Sequence, residues 1–192
     1  MTRDEFLLRF NLRQLAESQH NYQHHLPLKS AAVLIALVEP EQADEGLQVL
    51  LTKRASHLKH HPSQVSFPGG KVEQEDNSLI DTALREAFEE IGLNRDAVSV
   101  AGQLPPYQTI SGFQVTPVIA IVSRSQDYKI DKNEVAEIFQ VPLQHFLTTN
   151  DHHVFTASRN GKQHNVHFLP YKHYNIWGAT AVMLKDLVSQ LN

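Results

Sequence analysis

Apolar and polar positions change period several times along the chain, and each period predicts an element. Phe6, Leu7, Phe10 and Leu15 recur on or near one helical face, which predicts a short amphipathic helix over Phe6–Ala16. A polar stretch from Glu17 to Gln23 follows, and Pro27 closes it. Ala31–Val38 is an unbroken apolar run stopped by Glu39-Pro40, the pattern of a strand buried on both faces. Glu41–Gly46 reads as a turn and Leu47–Thr52 as a second strand, so 31–52 is a predicted hairpin. Residues 53–70 read as loop, punctuated by Pro62, Pro68, Gly69 and Gly70.

The strongest helical signal is Leu79–Ile91. Ile80, Ala83, Leu84, Ala87 and Ile91 form its apolar stripe, Ser78 with Asp81 resembles a capping pair, and Gly92 is a stop. Strands are expected near 98–104, 115–122, 135–141, 153–157 and 165–169. A last helix is expected over Trp177–Leu191, with Ala181, Leu184, Leu187 and Val188 inward. Strands interspersed with a few helices predict an α/β (α+β) fold with a mixed sheet. Residues 1–29 read as an N-terminal helix and lead-in to a domain at 30–192.

Composition narrows the classes. The 192 residues are 41% hydrophobic and 20% charged, the balance of one globular domain able to bury a core. Seventeen Lys and Arg against 21 Asp and Glu give a formal charge of −4, which disfavours a general nucleic-acid binder. Cysteine is absent, so disulfides, thiolate nucleophiles and cysteine metal sites are excluded. The longest apolar run falls far short of the ~20 residues a membrane helix needs, and the first residues lack the apolar core of a signal peptide. A cytoplasmic protein without a membrane partner is the expectation. Adjacent histidines at 24–25, 60–61 and 152–153 point in different directions on a regular element and do not by themselves chelate a metal.

Charge is segregated where chemistry is expected. Gly46–Val72 holds no Asp or Glu but carries Lys53, Arg54, Lys59 and Lys71. Glu73–Glu90 holds Glu73, Glu75, Asp76, Asp81, Glu86, Glu89 and Glu90 against a single Arg85. A basic loop leading into an acidic helix suits a metal–phosphate site, because cations hold phosphate oxygens and carboxylates hold the bridging metal. Glu86, Glu89 and Glu90 stand at i, i+3 and i+4, so their carboxylates share a helix face. That face is expected opposite the apolar stripe and in solvent. Their mutual repulsion is a cost that a bound divalent cation would reverse.

These residues carry a family resemblance. Gly70 followed by Arg85-Glu86-Ala87-Phe88-Glu89-Glu90-Ile91-Gly92-Leu93 resembles the Nudix box, G-x5-E-x7-R-E-U-x-E-E-x-G-U, with U aliphatic. One residue is extra: the first Glu of the box falls on Asp76 counted from Gly70, or on Asn77 counted back from Arg85. The extra residue is expected in the loop before Ser78. Residues 50–70, Leu50-Leu51-Thr52-Lys53-Arg54-Ala55 through Phe67-Pro68-Gly69-Gly70, are similar to the motif of the coenzyme A pyrophosphatase subgroup, L-L-T-x-R-S/A-x3-R-x3-G-x3-F-P-G-G. Lys59 stands where that motif has Arg, and Ser63 where it has Gly. The segments Leu104-Pro105-Pro106, Ser111–Val118, Asn133-Glu134-Val135 and Phe139–Leu143 agree with the subgroup, so the resemblance runs from about residue 30 to 185.

The resemblance implies a Nudix fold, a mixed sheet between helices. It implies attack of water on a diphosphate by a Nudix pyrophosphohydrolase, with coenzyme A cut to adenosine 3′,5′-bisphosphate and 4′-phosphopantetheine. It assigns divalent metal to Glu86 and Glu90, with Glu89 a further ligand directly or through water; Mg2+ is expected and Mn2+ should substitute. Arg85 is read as orienting Glu86. The general base is left between a box glutamate such as Glu89 and a later one, Glu134, with Glu137 beside it. Arg54 and Lys59 are candidates for substrate phosphate, and Gly69 and Gly70 for close backbone approach. Two alternatives stand beside this reading: a Nudix hydrolase of ADP-ribose or a nucleoside triphosphate, and a catalytically inactive Nudix domain that binds a nucleotide or a protein. The oligomeric state, monomer or homodimer, stays open.

Overall fold

The computed structural model describes residues 1–13, 18, 27–42, 45–124, 127–159 and 161–192. Leu15, nearly all of the polar stretch 17–23 and the histidines at 24–25 lie outside the described residues. The first helix, α1 (Arg3–Leu12), is capped by Thr2 and buries Phe6 and Phe10. The longest central strand, β1 (Lys29–Val38), runs parallel to β7 (Phe113–Val122) over ten residue pairs. At its other edge β1 meets β4 (Gly69–Lys71) through Ala31↔Lys71 and Val33↔Gly69, then β2 (Gln48–Arg54) through Leu37↔Val49. The expected hairpin therefore forms, but its two strands pair only near the turn. β2 carries β3 (Val65–Ser66) and β8 (Val135–Pro142); β7 carries β5 (Val98–Gln103) and the short β6 (Tyr107–Gln108).

Alternation along β1 sorts the core into two layers. Ala32, Leu34, Ala36 and Val38 face α2 (Leu79–Ile91) through Ala83, Ala87 and Ile91. Ile35 and Leu37 face the opposite layer, where Phe6 and Phe10 of α1 lie in one apolar cluster with Leu184 and Leu187 of α4 (Ala179–Leu191). Both faces of β1 are thus covered, which is why its sequence is a continuous apolar run. A mixed sheet between helices is the expected α+β architecture.

Four features differ from the pattern reading. Residues 53–70 are not all loop, since β3 and β4 lie inside or at their edge. A short helix, α3 (Leu143–Thr148), follows β8. Beyond it β9 (His153–Arg159), β10 (Lys162–Tyr171) and β11 (Tyr174–Trp177) form a separate antiparallel sheet in the order β11-β10-β9. Trp177, expected at the start of a helix, is the last residue of β11; α4 begins after Gly178. Among the described residues no helix is long and apolar enough to cross a membrane.

Candidate active site

The N-terminal half of the site is built on Arg85. Ser78 caps α2 by accepting from the Asp81 amide, and Gly92 ends it in the left-handed conformation. Arg85 Nε and Nη2 each donate to the Asp76 carboxylate at 3.0 Å, its Nη1 donates to Glu86 at 2.9 Å and Glu89 at 3.1 Å, and its Nη2 also reaches the Lys71 carbonyl. Asp76 additionally accepts from the Glu73 amide and the Thr82 hydroxyl. Its side chain is only 3% exposed. Those bonds, Arg85 foremost, hold the Asp76 carboxyl well below the usual carboxylate range, and Asp76 in turn pushes Arg85 further up. Asp76, the position counted forward from Gly70, therefore meets Arg85, and the extra residue falls on Asn77 ahead of the Ser78 cap.

Backbone hydrogen bonds assemble the other half. The Leu34 amide donates to the Pro68 carbonyl at 2.8 Å and fixes Phe67-Pro68-Gly69 along β1. Space requires glycine at Gly69, and at Gly70 it leaves the seat of the Glu86 carboxylate. A Cβ on Gly69 would stand 2.4 Å from the Ala32 carbonyl oxygen, and one on Gly70 2.2 Å from Glu86 Oε1. The Glu86 carboxylate thus rests directly against the bare backbone of β4. The Ala55 amide donates to the Glu134 carbonyl at 2.8 Å, and the Asp131 amide to the Glu90 carbonyl at 2.9 Å. These two bonds hold the turn carrying Glu134 between Arg54-Ala55 and the end of α2.

The three glutamates of the box do not share one environment. Glu89 is exposed, as expected, and Glu86 is half-buried, but Glu90 is only 4% exposed. The expectation that this face lies wholly in solvent is corrected: β4 and the 131–134 turn cover it. Burial, then the nearby Glu134 and Glu86 charges, push the Glu90 carboxyl up to about 8, against opposing effects of Arg54 and a hydrogen bond from the Gly69 backbone. Burial also raises Glu86, partly offset by Arg85.

A cavity of about 890 Å³ opens on these groups. Glu86, Glu90, Glu134 and Arg54 line it at one part, with Gly69 and Gly70. Lys71, Phe113 and Tyr107 contribute a wall, and Trp177 of β11 another. Of the sequence candidates, Glu89 and Arg85 stand outside the lining, and Lys59 is an exposed loop residue that does not reach it. Glu137 is engaged elsewhere, accepting a hydrogen bond from Tyr174. Lys71 is named in the sequence only as part of the basic stretch and Trp177 only as a helix start; the FPGG-Lys sequence places Lys71 next to the glycines, but only the pairing of β4 with β1 puts it on the cavity side.

Among the described residues, no three His, Asp or Glu side chains already converge closely enough to enclose an ion. The donor chemistry nevertheless fits a hard divalent cation. Glu90 is a buried carboxylate opposed by two like charges, all donors are oxygens, and a cation would remove the repulsion.

The NUDIX domain family model matches residues 28–170. The chain is 44% identical over 191 residues to the "Uncharacterized Nudix hydrolase NudL" of Enterobacter sp. (strain 638), covering all of this chain and 95% of that protein. It is 41% identical to the protein of the same name from Cronobacter sakazakii, with the same coverage. Among solved structures, a Nudix hydrolase from Alicyclobacillus acidocaldarius aligns with TM-score 0.52 at 18% identity, over 86% of this chain and 93% of that one. RenU, a Nudix hydrolase from M. smegmatis, also aligns with TM-score 0.52, at 20% identity over 69% and 81% of the two chains. These likenesses share the fold, and the matched residues span β1 through most of β10. The chain belongs to the Nudix hydrolase family.

Proposed function

We propose that this protein is a divalent-metal-dependent pyrophosphohydrolase acting on coenzyme A or a derivative, releasing adenosine 3′,5′-bisphosphate and 4′-phosphopantetheine. The observation that carries the reading is the meeting, in one cavity, of Arg54, Gly69 and Gly70 from the 50–70 motif with Glu86, Glu90 and Glu134.

Glu86 and Glu90 would hold the cation; Mg2+ fits their hard oxygens and Mn2+ should replace it. When bound, it neutralises diphosphate oxygens and favours ionisation of water. Arg85 keeps Glu86 turned along β4 through its bond to Oε1. Arg54 offers a guanidinium to the diphosphate. Glu134, at the cavity and free of Arg85, is better placed than Glu89 to take the proton of the attacking water. Hydrolysis then forms one new P–O bond to the water oxygen and breaks the bridging P–O bond, whose oxygen leaves on the other phosphate.

The test is a substrate panel with Mg2+: coenzyme A, dephospho-coenzyme A, ADP-ribose and a nucleoside triphosphate, with products identified by mass. The reading expects coenzyme A to give the two products named above, and to stop doing so with chelator. Turnover of ADP-ribose or the triphosphate with coenzyme A left intact would overturn it.

A further inference from the structure

The cavity is lined by a cation, Lys71, to which the mechanism proposed above gives no role. Lys71 follows Gly69-Gly70 on β4 and pairs with Ala31, while Val115 of β7 pairs with Ala31 from the other side. Directly paired residues point to the same side of a sheet, so Lys71, Ala31, Val115 and Phe113 share one face. Lys71 Nζ lies 5.8 Å from the centre of the Phe113 ring, and both line the cavity. Gly70, the next residue back, faces the opposite side and the Glu86 carboxylate. Lys71 is therefore a neighbour of the carboxylate centre in the chain but presents its charge on another wall.

The other cations divide differently. Arg54 already acts on the Glu90 carboxylate and belongs with the diphosphate end. Lys59 does not line the cavity. Among the described residues Lys71 has no ion pair with any Asp or Glu. Its backbone is held on both sides, by the β1 pairing and by Arg85 on its carbonyl. Its side chain is exposed, with the ammonium over the Phe113 ring face. An exposed ammonium beside an aromatic wall and outside any ion pair is matched to an anion brought by the ligand.

We propose that Lys71 reads a phosphomonoester that the substrate carries on the same ribose as the scissile diphosphate, making it the specificity residue for nucleoside 3′-phosphate 5′-diphosphates. The assignment rests on the coenzyme A reading above. A point charge suits a mobile, doubly charged phosphate group without a demand for fixed geometry.

The experiment separates the two claims. Trp177 is the chain's single tryptophan and lines the cavity, so its emission can report occupancy without turnover. In wild type, adenosine 3′,5′-bisphosphate should bind more tightly than AMP; in Lys71→Met, which keeps the aliphatic stem over Phe113, that preference should fall roughly tenfold. Lys71→Arg should restore most of it. In parallel, the ratio of kcat/KM for coenzyme A over dephospho-coenzyme A should drop by a similar factor in Lys71→Met and recover in Lys71→Arg. If wild type binds the bisphosphate no better than AMP, or Lys71→Met keeps the preference, the Lys71 assignment is overturned whatever the enzyme hydrolyses. If the binding preference depends on Lys71 but coenzyme A is not cleaved, the Lys71 assignment stands and the substrate reading falls.

Discussion

Two buried carboxylates frame α2, and they have opposite fates. Asp76 lies just before the helix and is met by the Nε–Nη2 edge of the Arg85 guanidinium, an amide and a hydroxyl. Glu90 lies at the other end, met by a backbone bond from Gly69 and opposed by Glu134 and Glu86. Asp76 is held in its charged form; Glu90 is pressed toward its neutral one. A carboxylate satisfied by the protein is part of the scaffold, whereas one left in electrostatic debt is positioned for a cation that the protein itself does not supply.

The largest expected effect comes from breaking the unsatisfied end. Glu86→Gln and Glu90→Gln should each lower turnover by at least ~100-fold at saturating Mg2+, since losing a metal contact removes several kcal/mol of catalysis. Steady-state assays check this, and near-normal turnover in either variant would remove that residue from the metal site. Circular dichroism should show α2 intact, because glutamine keeps the shape of the side chain.

Breaking the satisfied end should act on folding first. Arg85→Ala leaves Asp76 buried without its main partner and should cost about 2–3 kcal/mol of stability. Urea unfolding measures it, and a loss under ~0.5 kcal/mol would show that the network contributes little.

The pH dependence should differ in sign between the two ends. The raised Glu90 carboxyl retains a proton in the folded state that the unfolded chain releases near its ordinary value of 4.5. Its contribution is present below 4.5 and is lost as pH rises toward about 8. The depressed Asp76 carboxyl stabilises above its ordinary 3.8, and that contribution is lost only as pH falls below it. Melting curves in chelator should therefore show wild type losing stability from pH 5 to 8.5, with Glu90→Gln flatter over that range. Parallel curves for the two proteins would count against the Glu90 assignment.

The smallest effect concerns the loop that joins Arg54 to the glycines. Ser63 has φ 59°, in the left-handed region, where the subgroup motif has glycine. Ser63→Gly should stabilise by about 0.5 kcal/mol, the steric relief exceeding the entropy of the freer chain. A decrease in melting temperature would show that the serine is not strained there.

Much of this was legible in the chain. Leu79–Ile91 is read to the residue because Ser78, the apolar stripe and Gly92 agree with one another. β1 and β7 are legible because burial on both faces leaves an apolar run. The short strands β3, β4 and β6 are not, since two or three residues carry no period and exist only through pairing with longer neighbours. Trp177 was drawn into the last helix because an apolar residue before Gly178 fits either element; its partner Phe168 decides for a strand. In the site, spacing put Glu86, Glu89 and Glu90 on one face but could not show which of them β4 and the 131–134 turn would bury. Lys59 and Lys71 are equally basic in sequence, and only tertiary structure separates the exposed loop from the cavity wall.

The most direct test of the contrast between the two ends is a Mn2+ titration followed by electron paramagnetic resonance, which needs no substrate. Wild type should bind the ion, Glu90→Gln should lose at least tenfold in affinity, and Asp76→Asn, where it remains folded, should lose much less. Equal affinity in wild type and Glu90→Gln, or a larger loss in folded Asp76→Asn than in Glu90→Gln, would contradict the assignment of Glu90 to the cation and Asp76 to the scaffold.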